Sequence, residues 1–376
     1  MNTQDRTTSA RRPGFLPRAD LQTLIDHLHQ AGYRVLAPLP RDGGLQYREL
    51  TSVAQFTPGL TNEQRPGHYR LQAGEGERLF DWNHGPQGLK PLCFAPSEVL
   101  WTEQSSKLSF EAKLPQVVPT AVIGVRACDL AALAIQDRHF LHPDAPDPQY
   151  RARRESLFLI GVDCAHSAET CFCVSTGDGP SVGEGLDIGM AELDEGYLLW
   201  AGSEQGHALL QTLDTHPADD PQLEQMQQQT DQATEEQQRQ LPAAQDLMRL
   251  YQRLEHLHWQ VVGDRCLSCG NCTAVCPTCF CYNEIHERSL DGQSAQRLRE
   301  WDSCFSASHS SMGHFKVRNE TSQRYRQWAT HKLAGWQVQQ GRTGCTGCGR
   351  CIAWCPVGID LVQEVNTILW EGSIDA

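Results

Sequence analysis

Cysteine is the residue type whose number and spacing in this sequence indicate chemistry. The chain has 376 residues and 16 cysteines. Eight of them form two runs with the spacing C-x2-C-x2-C-x3-C, each followed by proline: Cys266, Cys269, Cys272, Cys276 and Pro277, then Cys345, Cys348, Cys351, Cys355 and Pro356. Thiolates at this spacing can bind the iron corners of a [4Fe–4S] cluster, so the two runs predict two clusters.

The spacing also predicts how the two runs share their ligands. In two-cluster bacterial ferredoxins, three closely spaced cysteines bind one cluster and the fourth binds the other cluster. The predicted ligand sets are Cys266, Cys269, Cys272 with Cys355, and Cys345, Cys348, Cys351 with Cys276. A zinc ribbon is disfavoured because it uses two separate C-x2-C pairs. The spacing of Cys272, Cys276 and Cys279 is also that of radical S-adenosylmethionine enzymes, but this triplet lies inside a longer run.

Other cysteines suggest two further sites. Cys128 and Cys164 each follow a predicted strand, and Cys171 and Cys173 belong to a TCFC segment soon afterwards; these four could hold a third iron–sulfur cluster or be buried structural thiols. The TCFC segment recurs at 278–281. Its cysteines could form a further metal site with one more thiol, or could line a cluster pocket: Cys279, Cys281 and Cys304.

Two short apolar runs indicate the elements that position the N-terminal cysteines. Ala121–Val125 and Leu157–Val162 read as strands buried on both faces of a parallel sheet, and Asp129–Phe140 reads as a helix with Asp129 as its N-cap. Strand, helix and strand form a βαβ unit. Because parallel strands end at one edge of their sheet, we expect Cys128 and Cys164 to lie near each other.

The composition divides the chain into three parts. Residues 1–215 are expected to form an α+β or α/β domain that contains the βαβ unit, and residues 216–242 a glutamine-rich linker or helix. Ala243–His258 reads as one amphipathic helix, and Glu320–Leu333 as another. Residues 243–376 are therefore expected to form a mainly helical, ferredoxin-type dicluster domain.

Charge and apolar patterning exclude several classes of protein. A formal net charge of −14 argues against a general nucleic-acid binder, and no apolar stretch is long enough to span a membrane. The first residues lack the pattern of an export signal, so we expect a reducing cytoplasm, where thiols more often bind metals than form disulfides. Ser175–Gly185 is rich in glycine and could cradle a phosphate, but its spacing better fits an adaptable loop.

Several segments between about residue 90 and residue 362 are distinctive when taken together. They are GVRACDLAAL (124–133), IGVDC (160–164), TCFCVSTGDGP (170–180), CLSCGNCTAVCPTCFC (266–281), WDSC (301–304), RYRQW (324–328), HKL (331–333) and GCTGCGRCIAWCPVGID (344–360). With these segments the sequence resembles the β subunits of cytoplasmic nickel–iron sulfhydrogenases and the A subunits of anaerobic sulfite reductases, which are related to each other. The family's usual proline in the first segment is Ala127 here, which changes no ligand.

The resemblance implies an electron-transfer subunit whose catalytic metal lies on another chain. Its partners would be a subunit with a flavin and a [2Fe–2S] cluster that handles NAD(P)H, and a subunit that holds nickel–iron or sirohaem. A sulfite reductase subunit is one alternative. Another is a stand-alone reductase that binds a flavin or nicotinamide near Ser175–Gly185. Whether the chain catalyses a reaction itself stays open at this point.

Overall fold

The computed structural model describes residues 12–104 and 109–371. The start of the chain, on which the expectation about export rests, lies outside these residues. The strands are β1 (Gly14–Pro17), β2 (Arg34–Arg41), β3 (Gly44–Glu49), β4 (Leu60–Arg65), β5 (His68–Ala73), β6 (Ser97–Gln104), β7 (Ser109–Ala112), β8 (Thr120–Val125), β9 (Leu157–Val162), β10 (Ile188–Glu192), β11 (Gly196–Ala201), β12 (His216–Pro217), β13 (Tyr282–Arg288), β14 (Ser294–Trp301), β15 (Ser311–Met312) and β16 (Phe315–Lys316).

Short α-helices connect and cover these strands. The helices are α1 (Leu21–Gln30), α2 (Lys90–Cys93), α3 (Ala127–Phe140), α4 (Pro148–Glu155), α5 (Glu204–Leu210), α6 (Asp220–Glu235), α7 (Ala244–Leu247), α8 (His258–Arg265), α9 (Asn271–Ala274), α10 (Thr321–Thr330), α11 (Trp336–Gln340), α12 (Arg350–Ala353) and α13 (Leu361–Trp370). A π-helical turn over His331–Gly335 joins α10 to α11.

An eight-stranded sheet with a parallel centre organises the N-terminal part. Its strand order is β12-β1-β11-β10-β9-β8-β2-β3. The strands β2, β8, β9 and β10 run parallel to one another, and the strands outside them are antiparallel. The elements β8, α3 and β9 form the predicted βαβ unit, so Cys128 and Cys164 follow the carboxyl ends of adjacent strands.

Helices cover both faces of this sheet. Successive residues of β8 point to opposite faces. Ile123 belongs to the same buried core as Leu24 of α1, whereas Val122 belongs to the core that contains Leu133 of α3. Each such side chain contributes about 1.5–3 kcal/mol when it is fully buried. The second of these cores holds α3, and with it Cys128, in a fixed position on the sheet.

The C-terminal part has its own core and one hairpin. Helices α8, α10 and α13 share a cluster of buried residues that includes Trp259, Val262, Tyr325, Trp328, Val365 and Ile368. The hairpin β13–β14 joins two strands from the N-terminal part in an antiparallel sheet of order β13-β14-β6-β7. The hairpin adds strands to a region for which the sequence indicated mainly helices.

Two local predictions are wrong, for identifiable reasons. The helix α3 begins two residues before Asp129, and Arg126 occupies the N-cap position. The Asp129 carboxylate accepts hydrogen bonds from the buried guanidinium of Arg350 instead of capping the helix. Residues 243–258 do not form one helix: α7 ends at Leu247, a 3-10 turn follows over Met248–Gln252, and α8 starts at His258.

No helix within the described ranges 12–104 and 109–371 has the length and apolar character that crossing a bilayer requires.

Candidate metal centres

The first cysteine run folds into a loop between α8 and α9. Cys266 directly follows α8, and Cys272 lies within α9. Between them, Ser268 (φ 51°) and Gly270 (φ 76°) adopt the left-handed backbone conformation. Glycine adopts it without steric cost, and the two turns bring the thiols of Cys266, Cys269 and Cys272 to the wall of one cavity.

The second run packs directly on the TCFC segment of the N-terminal part. A Cβ atom at Gly347 would lie 2.5 Å from the Cα atom of Cys173, and one at Gly349 would lie 2.2 Å from the carbonyl oxygen of Thr170. Only glycine permits such an approach. The backbone N–H of Phe172 donates to the Gly347 carbonyl at 2.8 Å. The run therefore lies beside the N-terminal group of cysteines.

The first cavity brings together the four thiols of the first predicted set. It lies between these thiols and the rings of Phe305, Tyr325 and Trp328. One of the four thiols is exposed, so the cavity reaches the protein surface. The cysteines that line it are Cys266, Cys269, Cys272 and Cys355, together with Cys351.

The second cavity lies deeper and groups the other predicted set. Phe172 and Trp328 also line it. Cys351 lines both cavities, so the two sites are immediate neighbours. The cysteines that line the second cavity are Cys276, Cys345, Cys348 and Cys351.

Backbone N–H groups point at several of these sulfur atoms. Such N–H···S bonds stabilise negative charge on the thiolates and on a bound cluster, and thereby tune its reduction potential. The donor–acceptor pairs are Ser268 N to Cys266 Sγ (3.5 Å), Gly347 N to Cys345 Sγ (3.5 Å) and Ile359 N to Cys355 Sγ (3.3 Å).

A buried lysine adds a positive charge at the second cavity. Lys332 is 6% exposed, and its Nζ donates to Cys276 Sγ at 3.4 Å and to Thr278 Oγ1 at 2.8 Å. Burial alone would lower the pKa of Lys332, but the negative charge of neighbouring thiolates raises it well above its ordinary value. The ammonium therefore stays charged beside the sulfur ligand. Sequence reasoning missed Lys332, whose only signal is the HKL segment.

Burial disfavours ionisation of most of the free thiols. It raises the pKa of Cys272 and Cys351 well above the ordinary range, and that of Cys345 to about 12. Cys276 is different, because a hydrogen bond from the Cys279 thiol lowers its pKa well below the usual value. A bound metal ion takes the place of the thiol proton, so iron would hold these buried groups as thiolates. Clustered, buried sulfur donors suit [4Fe–4S] chemistry.

The four cysteines of the N-terminal part come together at the edge of the sheet. Cys128 and Cys173 form one buried cluster with Cys348 of the second run. Cys164 and Cys171 are close enough that each thiolate would raise the pKa of Cys173, although burial is the larger cause. Gln237, which follows α6, donates from Nε2 to Cys173 Sγ at 3.2 Å. The group thus borders the second cavity.

The remaining predicted cysteines lie around a third cavity or next to it. Cys279 is hydrogen-bonded to Cys276 and, together with Cys281, lines this third cavity. Cys281 and Cys304 lie together with a sulfur–sulfur distance of 3.9 Å, and His309 offers a ring nitrogen within 4.8 Å of both. From the sequence alone, His309 lies near cysteines but is expected to be an ordinary surface or hydrogen-bonding residue. The separation of five positions between Cys304 and His309, just after WDSC, is the signal that could have indicated it.

Comparison with known proteins agrees with this arrangement of thiols. Residues 265–359 match the model of the 4Fe-4S dicluster domain, which supports two [4Fe–4S] clusters in this part of the chain. The chain is 31% identical over 253 residues to sulfhydrogenase 2 subunit beta of Pyrococcus furiosus, covering 66% of this chain and 73% of that protein. No solved structure matches the chain. The chain is an iron–sulfur protein of electron transfer, and it belongs to the family of sulfhydrogenase β subunits.

Proposed function

We propose that this chain conducts electrons between a flavin-bearing, NAD(P)H-handling subunit and a catalytic nickel–iron subunit of a cytoplasmic oxidoreductase. The sulfhydrogenase subunit to which it is similar supports this assignment. The chain's own part is to hold clusters close to one another and to set their potentials. A purely structural role would not require thiols at adjoining cavities.

The assignment depends on one observation: each group of cysteine thiols lies next to another group in space. Cys351 lines the first and second cavities, and Cys348 lines the second cavity and packs with Cys128 and Cys173. Cys269 at the first cavity is exposed. The order supported is therefore surface, first cavity, second cavity, N-terminal group. Electrons that enter at the exposed end would reach the α/β sheet through the buried centre.

Ligands for each site follow from this grouping. A cluster in the first cavity would be bound by the first three cysteines of the first run and the last cysteine of the second run. A cluster in the second cavity would be bound by the first three cysteines of the second run and the last cysteine of the first run. The N-terminal group would hold a third iron–sulfur cluster. The proposed sets are Cys266, Cys269, Cys272 and Cys355; Cys345, Cys348, Cys351 and Cys276; and Cys128, Cys164, Cys171 and Cys173.

The direct test is a titration of the isolated full chain. After anaerobic purification and reconstitution, we expect about twelve iron atoms per chain with three clusters, and visible absorbance that dithionite bleaches. NADH and NADPH should leave the absorbance unchanged until the purified flavin subunit of the same complex is added. Bleaching that begins only after this addition would identify the chain as an electron carrier.

The same titration distinguishes an electron carrier from a stand-alone enzyme. Bleaching by NADH or NADPH in the absence of any partner would favour a stand-alone reductase with a nicotinamide site near Ser175–Gly185. A preparation with about eight iron atoms would leave the carrier role intact but remove the third cluster from the proposal.

A further inference from the structure

We infer that Cys281, Cys304 and His309 bind one zinc ion, at a site separate from the iron–sulfur clusters. The two sulfur atoms and one imidazole nitrogen lie within 4.8 Å of one another. This inference goes beyond the proposed function, because zinc has no redox chemistry and cannot carry electrons.

The hairpin β13–β14 brings the three ligands together. Its terminal residues Tyr282 and Trp301 pair across the two strands, so Cys281 and Asp302 lie next to each other at the open end. The backbone N–H of Asp302 donates to the Cys281 carbonyl at 2.9 Å. Cys304 follows two residues after Asp302. The site is therefore built on a paired strand end and not on a free loop.

A turn then returns the histidine to the two thiols. The Ser306 N–H donates to the Ser303 carbonyl at 2.8 Å, and the His309 N–H donates to the Ser306 carbonyl at 3.3 Å. His309 Nδ1 bonds to Asp302 Oδ2 at 2.6 Å. With Nδ1 bound to this carboxylate, Nε2 would be the nitrogen that binds the metal, in the arrangement that is usual at zinc histidines.

The sulfur–sulfur distance indicates a single ion rather than a cluster. Two thiolates on one tetrahedral zinc, each about 2.3 Å from the ion, are separated by about 3.8 Å. The distance from Cys281 Sγ to Cys304 Sγ is 3.9 Å. Thiolates on different corners of a cubane are separated by the width of the cluster and lie much further apart. The pair therefore has the geometry of a mononuclear site.

The charges of the site balance when zinc binds. The ion replaces the protons of two thiols, which are released, and two thiolates with a neutral imidazole offset the charge of Zn²⁺. The ion and its three protein ligands together carry no net charge, which avoids most of the cost of burying charge beside Cys304, which is only 8% exposed. The Asp302 carboxylate on His309 adds one negative charge, and this side chain is partly exposed to solvent. The third cavity, of about 210 Å³, is lined by Cys281, Cys279 and Asp302 and extends to Cys269 of the first run; it has room for a water molecule as fourth ligand.

The zinc would stiffen one wall of the first cluster cavity. Phe305, directly after Cys304, lines that cavity and packs against Trp328 with 5.9 Å between ring centres. Fixing Cys304 therefore fixes the position of Phe305. The site ties the hairpin, the turn 303–309 and the cavity wall to one ion.

Zinc and iron counts on the full chain test the inference. We expect about one zinc per purified chain, with two sulfur neighbours near 2.3 Å by X-ray absorption at the zinc edge. Cys304→Ser and His309→Gln should each lose most of the zinc while retaining the parent iron content. Asp302→Asn should weaken zinc binding by roughly 10–100-fold. His314→Gln, which changes an exposed histidine of the same segment, should retain the zinc.

Three results would overturn the inference. One is a parent chain that is loaded with iron but takes up no zinc when one equivalent is added. Another is zinc content that stays equal in the parent, Cys304→Ser and His309→Gln. The third is a loss of about four iron atoms in these variants, which would make the site part of a cluster. Because iron is counted separately, a failed zinc site leaves the electron-carrier role unaffected.

Discussion

Arg350 and Asp129 form an ion pair that water does not reach. Their side chains are 0% and 1% exposed, and the guanidinium donates to both carboxylate oxygens, at 2.6 and 2.8 Å. Arg350 lies between two cysteines of the second run, and Asp129 directly follows Cys128. Arg350 Nε also donates to the Gly85 carbonyl at 2.9 Å. The pair therefore joins the dicluster region to the α/β sheet at the N-terminal group of cysteines.

Removing one partner of this pair should be costly. Asp129→Asn keeps the shape of the side chain but leaves the buried Arg350 charge uncompensated, which we expect to lower the free energy of unfolding by about 3–5 kcal/mol. Urea titration of the anaerobic protein measures the change. Glu155→Ala is the control, because its partner Arg151 is exposed and the loss should stay below about 1 kcal/mol. Equal effects of the two substitutions would contradict the structural role of the pair.

Double substitutions can test whether the fourth cysteine of each run binds the cluster of the other run. Cys276 lines the cavity of the second run, so Cys276→Ser and Cys345→Ser should damage the same cluster. The double variant should then lose about four iron atoms, no more than either single variant, whereas Cys276→Ser with Cys266→Ser, which lines the first cavity, should lose about eight. Iron analysis and EPR of the reduced protein give the readout. The reverse pattern would assign each run wholly to its own cluster.

The buried ammonium of Lys332 should raise the reduction potential of the second cluster. An ammonium at roughly 7 Å from the centre of charge, with an effective dielectric constant near 20, stabilises the added electron by about 2 kcal/mol. Lys332→Met should therefore lower that potential by about 100 mV, measured by EPR-monitored redox titration. The exposed Lys316 gives the control variant Lys316→Met, for which no shift is expected. An unchanged potential in Lys332→Met would show that the charge is screened or displaced.

Local patterns in the sequence predicted the centre of the fold well. The apolar runs at 121–125 and 157–162 correspond to β8 and β9, because continuous apolar runs are what strands buried on both faces require. The sequence of residues 187–200 also predicts a hairpin that turns near Asp194–Gly196, and β10 and β11 form this antiparallel pair. Residues 222–240 fall largely within the helix α6, of which Met226 and Ala233 are buried. The spacing of apolar residues and the identity of turn residues are enough to predict such elements.

Long-range contacts account for what the sequence did not predict. Asp129 does not cap α3, because its carboxylate is bound by Arg350. That arginine lies 221 positions away in the chain, so no local pattern could indicate the contact. The local signals of Lys332 and His309, the HKL segment and the spacing after Cys304, are weak, and only the fold places the two side chains beside sulfur. The spacing of the runs suggested which thiols share a cavity, and their binding of iron in those sets stays a prediction.

The N-terminal cysteines allow a last test, with a matched thiol as control. Cys173 packs with Cys128 and Cys348 and accepts a hydrogen bond from Gln237. If the group holds a third cluster, Cys173→Ser should lose about four of twelve iron atoms, with the dicluster signals retained. Cys93 is equally buried but belongs to a different core, so Cys93→Ser should keep all its iron. Full iron content in Cys173→Ser would reduce this group to structural thiols, and electrons would then leave the chain from the second cavity.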